Sequence, residues 1–495
     1  MVERARRSTV PGFSRRELLA AVPAVALGVA LGGCSDSSGT DAGDGPSSSG
    51  AVATTAPKGS TADSKGSQWP VYGHDHSQTR ANLAESRITR SSVARLAKAW
   101  ELPDLVGVTG TPTVVDGVAY FADWKGVVRA IEADTGAEVW TAQIGGMIVG
   151  APAVDGDRVY ASSGSRLFGL DRTTGQSRWE VTTDRHPQAQ ISASPVVVDG
   201  TVLQGTASFE NFLRKDEYLF RGSIAGYDGE TGEERWKFYA TPGDETSGAG
   251  AGIWSTPAVD VDRGLLFVGT GQGLSEPTAS MADSLLAIDY RTGALEWSTQ
   301  FTYPDVFSAA NPTGKDADVG ASPNLWTSDG RDLVGAGDKG GTFHALDRET
   351  GKVVWETQLT PGSAFGGEIG SAAFVDGRLV ASSNVGDPET NAPTNVTHVF
   401  GLDPATGEKQ WTSAELAGKI FAPVSAVPGV AFVGTDTGKL LALDTDTGKE
   451  IWTAQAPAQT ACGPSIVDGR VLWGYGFILF GGPGPGGVLA FEVGS

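Results

Sequence analysis

From residue 111 onward the chain is written in short apolar runs, each stopped by a glycine-containing pair. The stretch TPTVVDGVAYFADWKGVVRAIEADTGAEVW, residues 111–140, shows the unit. Apolar runs at 113–115, 118–121 and 127–131 are separated by Asp116-Gly117 and Lys125-Gly126, and a fourth run ends at Trp140. Short β-rich runs between such pairs predict antiparallel hairpins. Asp-Gly suits a turn of positive φ, because Gly carries no Cβ penalty. The pair recurs as Asp155-Gly156, Asp199-Gly200, Asp376-Gly377 and Asp468-Gly469. Each fourth run follows the string Asp-x-x-Thr-Gly or a close variant. Seven copies end at Trp140, Trp179, Trp236, Trp297, Trp355, Trp411 and Trp452. Self-similarity at this spacing predicts a stacked or radial array, and four strands per repeat predict one propeller blade.

Two irregular ends set the blade count. Trp100, in LAKAWEL, ends a strand-like run with no Thr-Gly before it, and residues 463–493 hold three strand-like runs with no terminal Trp. Joined, they make one blade. The fold class expected is therefore all-β, an eight-bladed β-propeller with four-stranded antiparallel blades, its ring closed by an N-terminal strand. Such closure leaves no free sheet edge. The repeated Trp residues are expected to pack between blades rather than to contact a ligand.

The N-terminus carries a different pattern. Ser14-Arg15-Arg16-Glu17-Leu18-Leu19 matches a twin-arginine signal, and an apolar run to Leu31 is too short for a permanent membrane span. It stops at Leu31-Gly32-Gly33-Cys34, which resembles a lipobox. Residues 1–34 are thus expected to be a signal segment ending at a lipidated Cys34, which anchors an exported protein to the outer face of the cell membrane. Residues 35–66, almost free of large apolar side chains, predict a disordered tether, and 67–495 the propeller.

Charge and cysteines narrow the chemistry. The formal charge is −21, and losing residues 1–33, with five Arg and two acidic residues, leaves −24. That argues against nucleic acid as a partner. Cys462 is the only cysteine besides Cys34, so the propeller holds no disulfide, and no Cys-x-x-Cys-His haem motif occurs. The five histidines lack zinc-ligand spacing; His74 and His76 are expected on the surface or in packing.

The Trp-to-Trp spacing lengthens between Trp179 and Trp411. Insertions in a propeller fall in loops on its faces, where function sits. This stretch holds polar groups that blade packing does not require: Glu210, Arg221, Gln272, Asp305, Asp316, Asp318 and Lys339, with Trp254 outside the repeat register. An aromatic face, a base and several oxygen donors are what a planar polyanionic cofactor with a hard cation needs.

These repeats resemble the pyrroloquinoline quinone (PQQ) propeller family of quinoprotein alcohol dehydrogenases. WPVYGHDHSQTR, GTPTVVDGVAYFADWKG, FRGSIAGYD and WSTPAVDVDRGLLFVGTGQ resemble its polyvinyl alcohol dehydrogenase branch. The resemblance spans Trp69 to the C-terminus. It implies Trp254 stacked on the quinone, Lys339 polarising the quinone oxygens and Arg221 near the quinone carboxylates. It implies Glu210, Gln272 and Asp318 as calcium ligands. Asp318 is the implied base, with Asp316 the second candidate. The implied substrate is a small or polymeric alcohol.

The chain departs from the family's pattern in lacking adjacent cysteines, a Trp-Asp pair before Gly320 and a fused cytochrome domain. Electrons would then pass to a separate acceptor, a cytochrome c or a membrane quinone. The alternative is a catalytically inactive propeller lipoprotein acting as a protein-binding or assembly scaffold.

Overall fold

The Asp-Gly pairs close hairpins as their backbone preferences require. Asp116 and Gly117 adopt φ of 52° and 78°, and the pairs at 199–200, 329–330, 376–377 and 468–469 repeat this double left-handed turn. Asp155-Gly156 differs from expectation. Asp155 ends its strand opposite Arg158, so Gly156-Asp157 makes the turn, and glycine takes its first position.

The repeat string has an equally local cause. Asp171 Oδ1 accepts the N–H of Thr173 (3.0 Å), the N–H of Thr174 (2.9 Å) and the Thr174 hydroxyl (2.9 Å). The carboxylate thus ties the turn before the outer strand. The same Asp–Thr clasp occurs at Asp228, Asp289, Asp347, Asp403 and Asp444. The following glycine is needed twice over. Gly175 has φ 72°, and a Cβ there would meet the Trp140 ring of the preceding blade at 2.5 Å.

The computed structural model describes residues 68–243, 247–387, 389–476 and 485–494; the expected leader, Cys34 and tether lie outside them. The described residues form eight antiparallel sheets. Six have four strands. The other two gain a short fifth strand, Ala189–Gln190 beside Thr201–Ser208 and Leu416–Ala417 beside Ala392–Leu402. Ala189–Gln190 falls in a long repeat, and Leu416–Ala417, just past Trp411, pairs with a strand of one.

Counting from the blade that begins at Thr113–Val115, blade 3 holds Val196–Val198, Thr201–Ser208, Ser223–Asp228 and Glu234–Tyr239. Blade 4 holds Ala258–Asp260, Leu265–Gly269, Ser284–Asp289 and Leu295–Gln300. Blade 5 holds Asn324–Ser328, Arg331–Gly337, Thr342–Asp347 and Val353–Gln358. Blade 8 closes the ring as expected: Ser465–Val467, Arg470–Tyr475 and Gly486–Val493 are completed by Leu96–Leu105, which runs antiparallel to Gly486–Val493.

The repeat Trp residues are the seams. Each indole N–H donates to a backbone carbonyl of the next blade: Trp140 to Arg172 (2.8 Å), Trp179 to Gly229 (2.9 Å), Trp236 to Tyr290 (2.9 Å), and so around the ring to Trp452 on Leu96 (3.0 Å) and Trp100 on Ala133 (3.2 Å). The ring faces bury large apolar area while the single polar atom stays satisfied.

Residues 69–82 cross the ring. Their backbone pairs with Val114, Val154, Val259, Leu325, Phe374 and Ala426, each in the first strand of a different blade. The His76 ring bonds Val197 O (2.7 Å), and Asn82 Nδ2 donates to Ile466 O (2.9 Å). All eight blades are thus touched. The buried Arg80 guanidinium bonds Val424 O and the Ser425 hydroxyl, both at 2.6 Å. His74 stacks edge-on against Trp69. Both histidines are packing residues.

Candidate active site

In an antiparallel blade, the start of the first strand and the end of the second lie at the same end. Trp254 precedes the first strand of blade 4, and Gln272 follows its second. Asp316 and Asp318 precede the first strand of blade 5, and Lys339 follows its second. The long loops of two neighbouring blades therefore deliver these side chains to one end. Trp254, Gln272, Asp318 and Lys339 line a single cavity of about 320 Å³. Its wall is otherwise largely aromatic and apolar, with Phe209, Phe212, Phe220, Leu274, Phe365 and Phe421.

The polar floor is tightly coupled. Lys339 Nζ lies 2.7 Å from Asp318 Oδ2 and 2.9 Å from Asp316 Oδ1. Asp318 Oδ1 accepts the Gln272 N–H at 2.6 Å. Lys339 N donates to Asp318 O at 3.0 Å, so backbone and side chain fix the pair together. Burial works against the Lys339 ammonium, but Asp316 and Asp318 outweigh it and hold its pKa above the usual value. One ammonium cannot neutralise two buried carboxylates. Burial, opposed by Lys339, leaves Asp316 well above the carboxylate range.

Trp254 forms the flat wall. The Lys339 ammonium is 5.6 Å from its ring centroid. A Cβ at Gly320 would overlap the six-membered ring, and one at Gly271 would lie 3.2 Å from both Trp254 Nε1 and Asp318 Oδ1. Two glycines thus let the backbone lie against the indole and the Asp318 carboxylate.

The structure does not bring Glu210 and Arg221 to this cavity. The buried Glu210 carboxylate accepts from Lys215 Nζ (2.5 Å), Phe220 N (2.8 Å) and Leu219 N (3.1 Å), with His186 Nε2 at 3.4 Å. It pins the loop 210–220. The Arg221 guanidinium donates to the carbonyls of Thr241 (2.6 Å) and Pro242 (2.8 Å) and lies 4.1 Å from the Tyr239 ring centroid.

Sequence reasoning missed Asn211 and Asp283. Asn211 lines the cavity, and its buried Oδ1 has no hydrogen-bond partner among the described residues. Nothing in the sequence separates it from the loop asparagines. Asp283 stands one residue before a strand of blade 4 and reads as an ordinary strand-entry residue.

The donor set can be tested against a hard cation. Among the described residues no group of three or more His, Cys, Asp or Glu side chains is arranged to hold a metal. The Gln272 carboxamide, however, faces both Asp318 carboxylate oxygens, Oδ2 at 3.0 Å. Turned one way its NH₂ donates to them. Turned the other way its oxygen and the carboxylate converge as a cation between them requires, and the NH₂ points to Phe307 O at 3.4 Å. With Asn211 Oδ1 on the same cavity, amide and carboxylate oxygens are at hand. They fit calcium if ligand and water oxygens complete its six to eight.

Comparison with known proteins agrees with this architecture. A polyvinylalcohol dehydrogenase from Pseudomonas sp is 29% identical over 463 residues, covering 84% of this chain and 72% of the relative. A quinohemoprotein alcohol dehydrogenase from Comamonas testosteroni is 25% identical over 86% of this chain and 76% of the relative. The crystal structure of the Comamonas testosteroni quinohemoprotein alcohol dehydrogenase superposes with a TM-score of 0.73 at 23% identity, over 86% of this chain and 81% of that one. BamB from Moraxella catarrhalis superposes with a TM-score of 0.56 at 17% identity, over 80% and 99%. The profile of the PQQ-repeat family described as outer membrane protein assembly factor BamB matches residues 81–304, 282–390 and 395–479. The chain belongs to that family.

Proposed function

We propose that this member of the PQQ-repeat family is a quinoprotein alcohol dehydrogenase, exported and held at the outer face of the cell membrane through Cys34, that uses PQQ and calcium. One observation carries the reading: Trp254, Gln272, Asp318 and Lys339 converge on one cavity of about 320 Å³ whose remaining wall is apolar and aromatic. The dehydrogenase names of the relatives support it. A purely structural propeller has no use for a buried ammonium between two carboxylates beside a bare indole face.

The residues divide the work by chemistry. Trp254 offers its face to a planar ring, a contact worth about 0.5–1.5 kcal/mol beyond area burial. Lys339 presents positive charge to ring oxygens. Gln272 and Asp318 supply oxygens to calcium, and Asn211 is placed to add a third. Glu210, implied as a ligand by resemblance, is instead occupied by Lys215 and two backbone amides. Asp318 receives the alcohol's hydroxyl proton, oriented by Lys339 and the Gln272 amide. Phe209, Phe212, Phe220 and Phe421 exclude water and favour an alcohol with an apolar body, a secondary or polymeric one included. Bound PQQ supplies the two-electron acceptor and calcium the Lewis acid. The electrons leave to a separate acceptor, a cytochrome c or a membrane quinone.

The test is a PQQ titration of the full chain with and without calcium, followed by Trp fluorescence and then by dye-linked alcohol oxidation. Saturable, calcium-dependent quenching with turnover is expected. No binding at micromolar PQQ in either condition would sink the enzyme reading and favour the scaffold one, which the BamB likeness supports.

A further inference from the structure

Behind the Lys339 group lie two more acids, Asp283 and Asp305. Both side chains are fully buried, and neither lines the cavity. Three of their four carboxyl oxygens, Asp283 Oδ1 and Oδ2 and Asp305 Oδ1, have no donor partner among the described residues. The fourth, Asp305 Oδ2, accepts the N–H of Ala317 at 2.7 Å. Ala317 stands between Asp316 and Asp318, the two carboxylates that share Lys339.

Each acid is among the groups that shift the other's pKa, so the two lie within reach of one another, and a proton kept on one of them is the donor their orphan oxygens lack. Two buried carboxylates in contact cannot both ionise at neutral pH. Asp283 is the protonated partner: burial, and then Asp305, hold its carboxyl well above the usual range. Burial, and then the charge of Asp318, push Asp305 up to about 7. Backbone bonds lock the pair in place. Asp283 N donates to Gly271 O (3.2 Å), Phe301 N to Asp283 O (3.0 Å) and Gly273 N to Asp305 O (3.2 Å). The pair therefore joins the Gln272 turn of blade 4 to the segment leading into blade 5.

We propose that Asp283 and Asp305 are positioning residues for the base: Asp283 donates its proton to Asp305, and Asp305 accepts the Ala317 amide, which sets the direction of Asp318. The inference rests on the dehydrogenase reading for its consequence in turnover, but not for the existence of the pair. A hydrophobic pair of the same size would fill the space without holding the amide. The orphan oxygens make sense only if one proton is kept between them.

The experiment uses the full chain and two readouts. The infrared spectrum in D₂O needs neither quinone nor alcohol; the wild-type minus Asp283→Asn difference spectrum is expected to show a buried protonated carboxyl band, the bands of Asp316 and Glu368 cancelling between the two. In steady-state assays, Asp305→Ala is expected to lower kcat about 10²-fold with KM within about threefold, the cost of a small misplacement of a reacting group. Asp305→Asn keeps an oxygen for the Ala317 amide and is expected to recover about tenfold of that loss. The proposal is overturned if that difference spectrum shows no protonated carboxyl band, if Asp305→Ala turns over like the wild type, or if Asp305→Asn is as poor as Asp305→Ala. Should Asp305→Ala not fold, Asp305→Asn and the infrared comparison still decide it. A wild type without turnover on any alcohol refutes the dehydrogenase reading and leaves the infrared result standing.

Discussion

The seams between blades and the floor of the cavity are built on the same blades, yet they follow opposite rules. At a seam the indole N–H meets a carbonyl, the ring lies on a glycine, and an Asp clasps its own turn. The arrangement recurs around the ring with little change. At the floor, Asp283 and Asp305 leave oxygens without donors, and Lys339 is wedged between two carboxylates. Among the described residues an ammonium so held occurs once, between blades 4 and 5, and Glu368 is a further buried carboxyl without donors. Repetition marks what holds the ring together, and departures from its rules mark where chemistry belongs.

The sharpest separation is expected from Asp318→Asn. Turnover should fall about 10³-fold, as for loss of a general base, on the order of 4 kcal/mol of barrier. The urea midpoint should hardly move. Unchanged turnover would remove Asp318 as the base and leave Asp316, the second candidate. The converse substitution is Trp236→Ala at the seam between blades 3 and 4. It empties an 8% exposed indole site and unmakes the bond to Tyr290 O. A loss of about 3 kcal/mol is expected by urea denaturation, with turnover per folded molecule unchanged. If Trp236→Ala also abolished PQQ quenching, seams and site would not be separable.

A smaller effect lies in the direction of pH. In the turns, Asp171 and Asp228 are lowered to about 2, chiefly by Arg178 and Arg235. A depressed carboxyl gives stability above its unfolded value that is lost as pH falls from about 4 to about 2. At the floor Asp305 runs the other way. Its folded form keeps the proton up to about pH 7 while the unfolded chain releases it near 4, so the calcium-free protein should lose stability as pH rises between those values. Melting curves across pH should therefore show two limbs. Asp305→Asn should make the upper one shallower, Asp283 and Asp316 still contributing to it, and spare the lower; a flat upper limb in the wild type would mean that the buried acids relax into water.

How much the sequence discloses follows the same divide. The blades were legible because Trp140 and its fellows recur with a turn chemistry each repeat carries within itself, and the closure because Trp100 lacks that turn while residues 463–493 lack a terminal Trp. Trp254, Gln272, Asp318 and Lys339 were named through the family resemblance, and the fold brings them to one cavity because each stands at a fixed place relative to a strand. Glu210, named the same way, is not brought there. Its side chain is directed by the loop 210–220, whose path no periodicity encodes, and Lys215 within that loop captures it. The crossing of residues 69–82 over the ring was equally hidden, because its partners lie in eight separate blades.

Arg221 is the smallest and most pointed case. Resemblance assigns it to the quinone carboxylates, whereas its guanidinium spends its donors on Thr241 O and Pro242 O and rests on Tyr239. Arg221→Lys keeps the charge but cannot span both carbonyls. The expected cost is about 1 kcal/mol of stability, with PQQ affinity, read by Trp quenching, within about threefold of the wild type. The guanidinium lies outside the cavity lining, so a larger loss would need direct contact. A tenfold weaker affinity would therefore mean that the guanidinium leaves its two carbonyls and turns inward when the cofactor enters. Arg221 would then belong to the floor rather than to the frame, and the boundary between the two regions would shift with ligand.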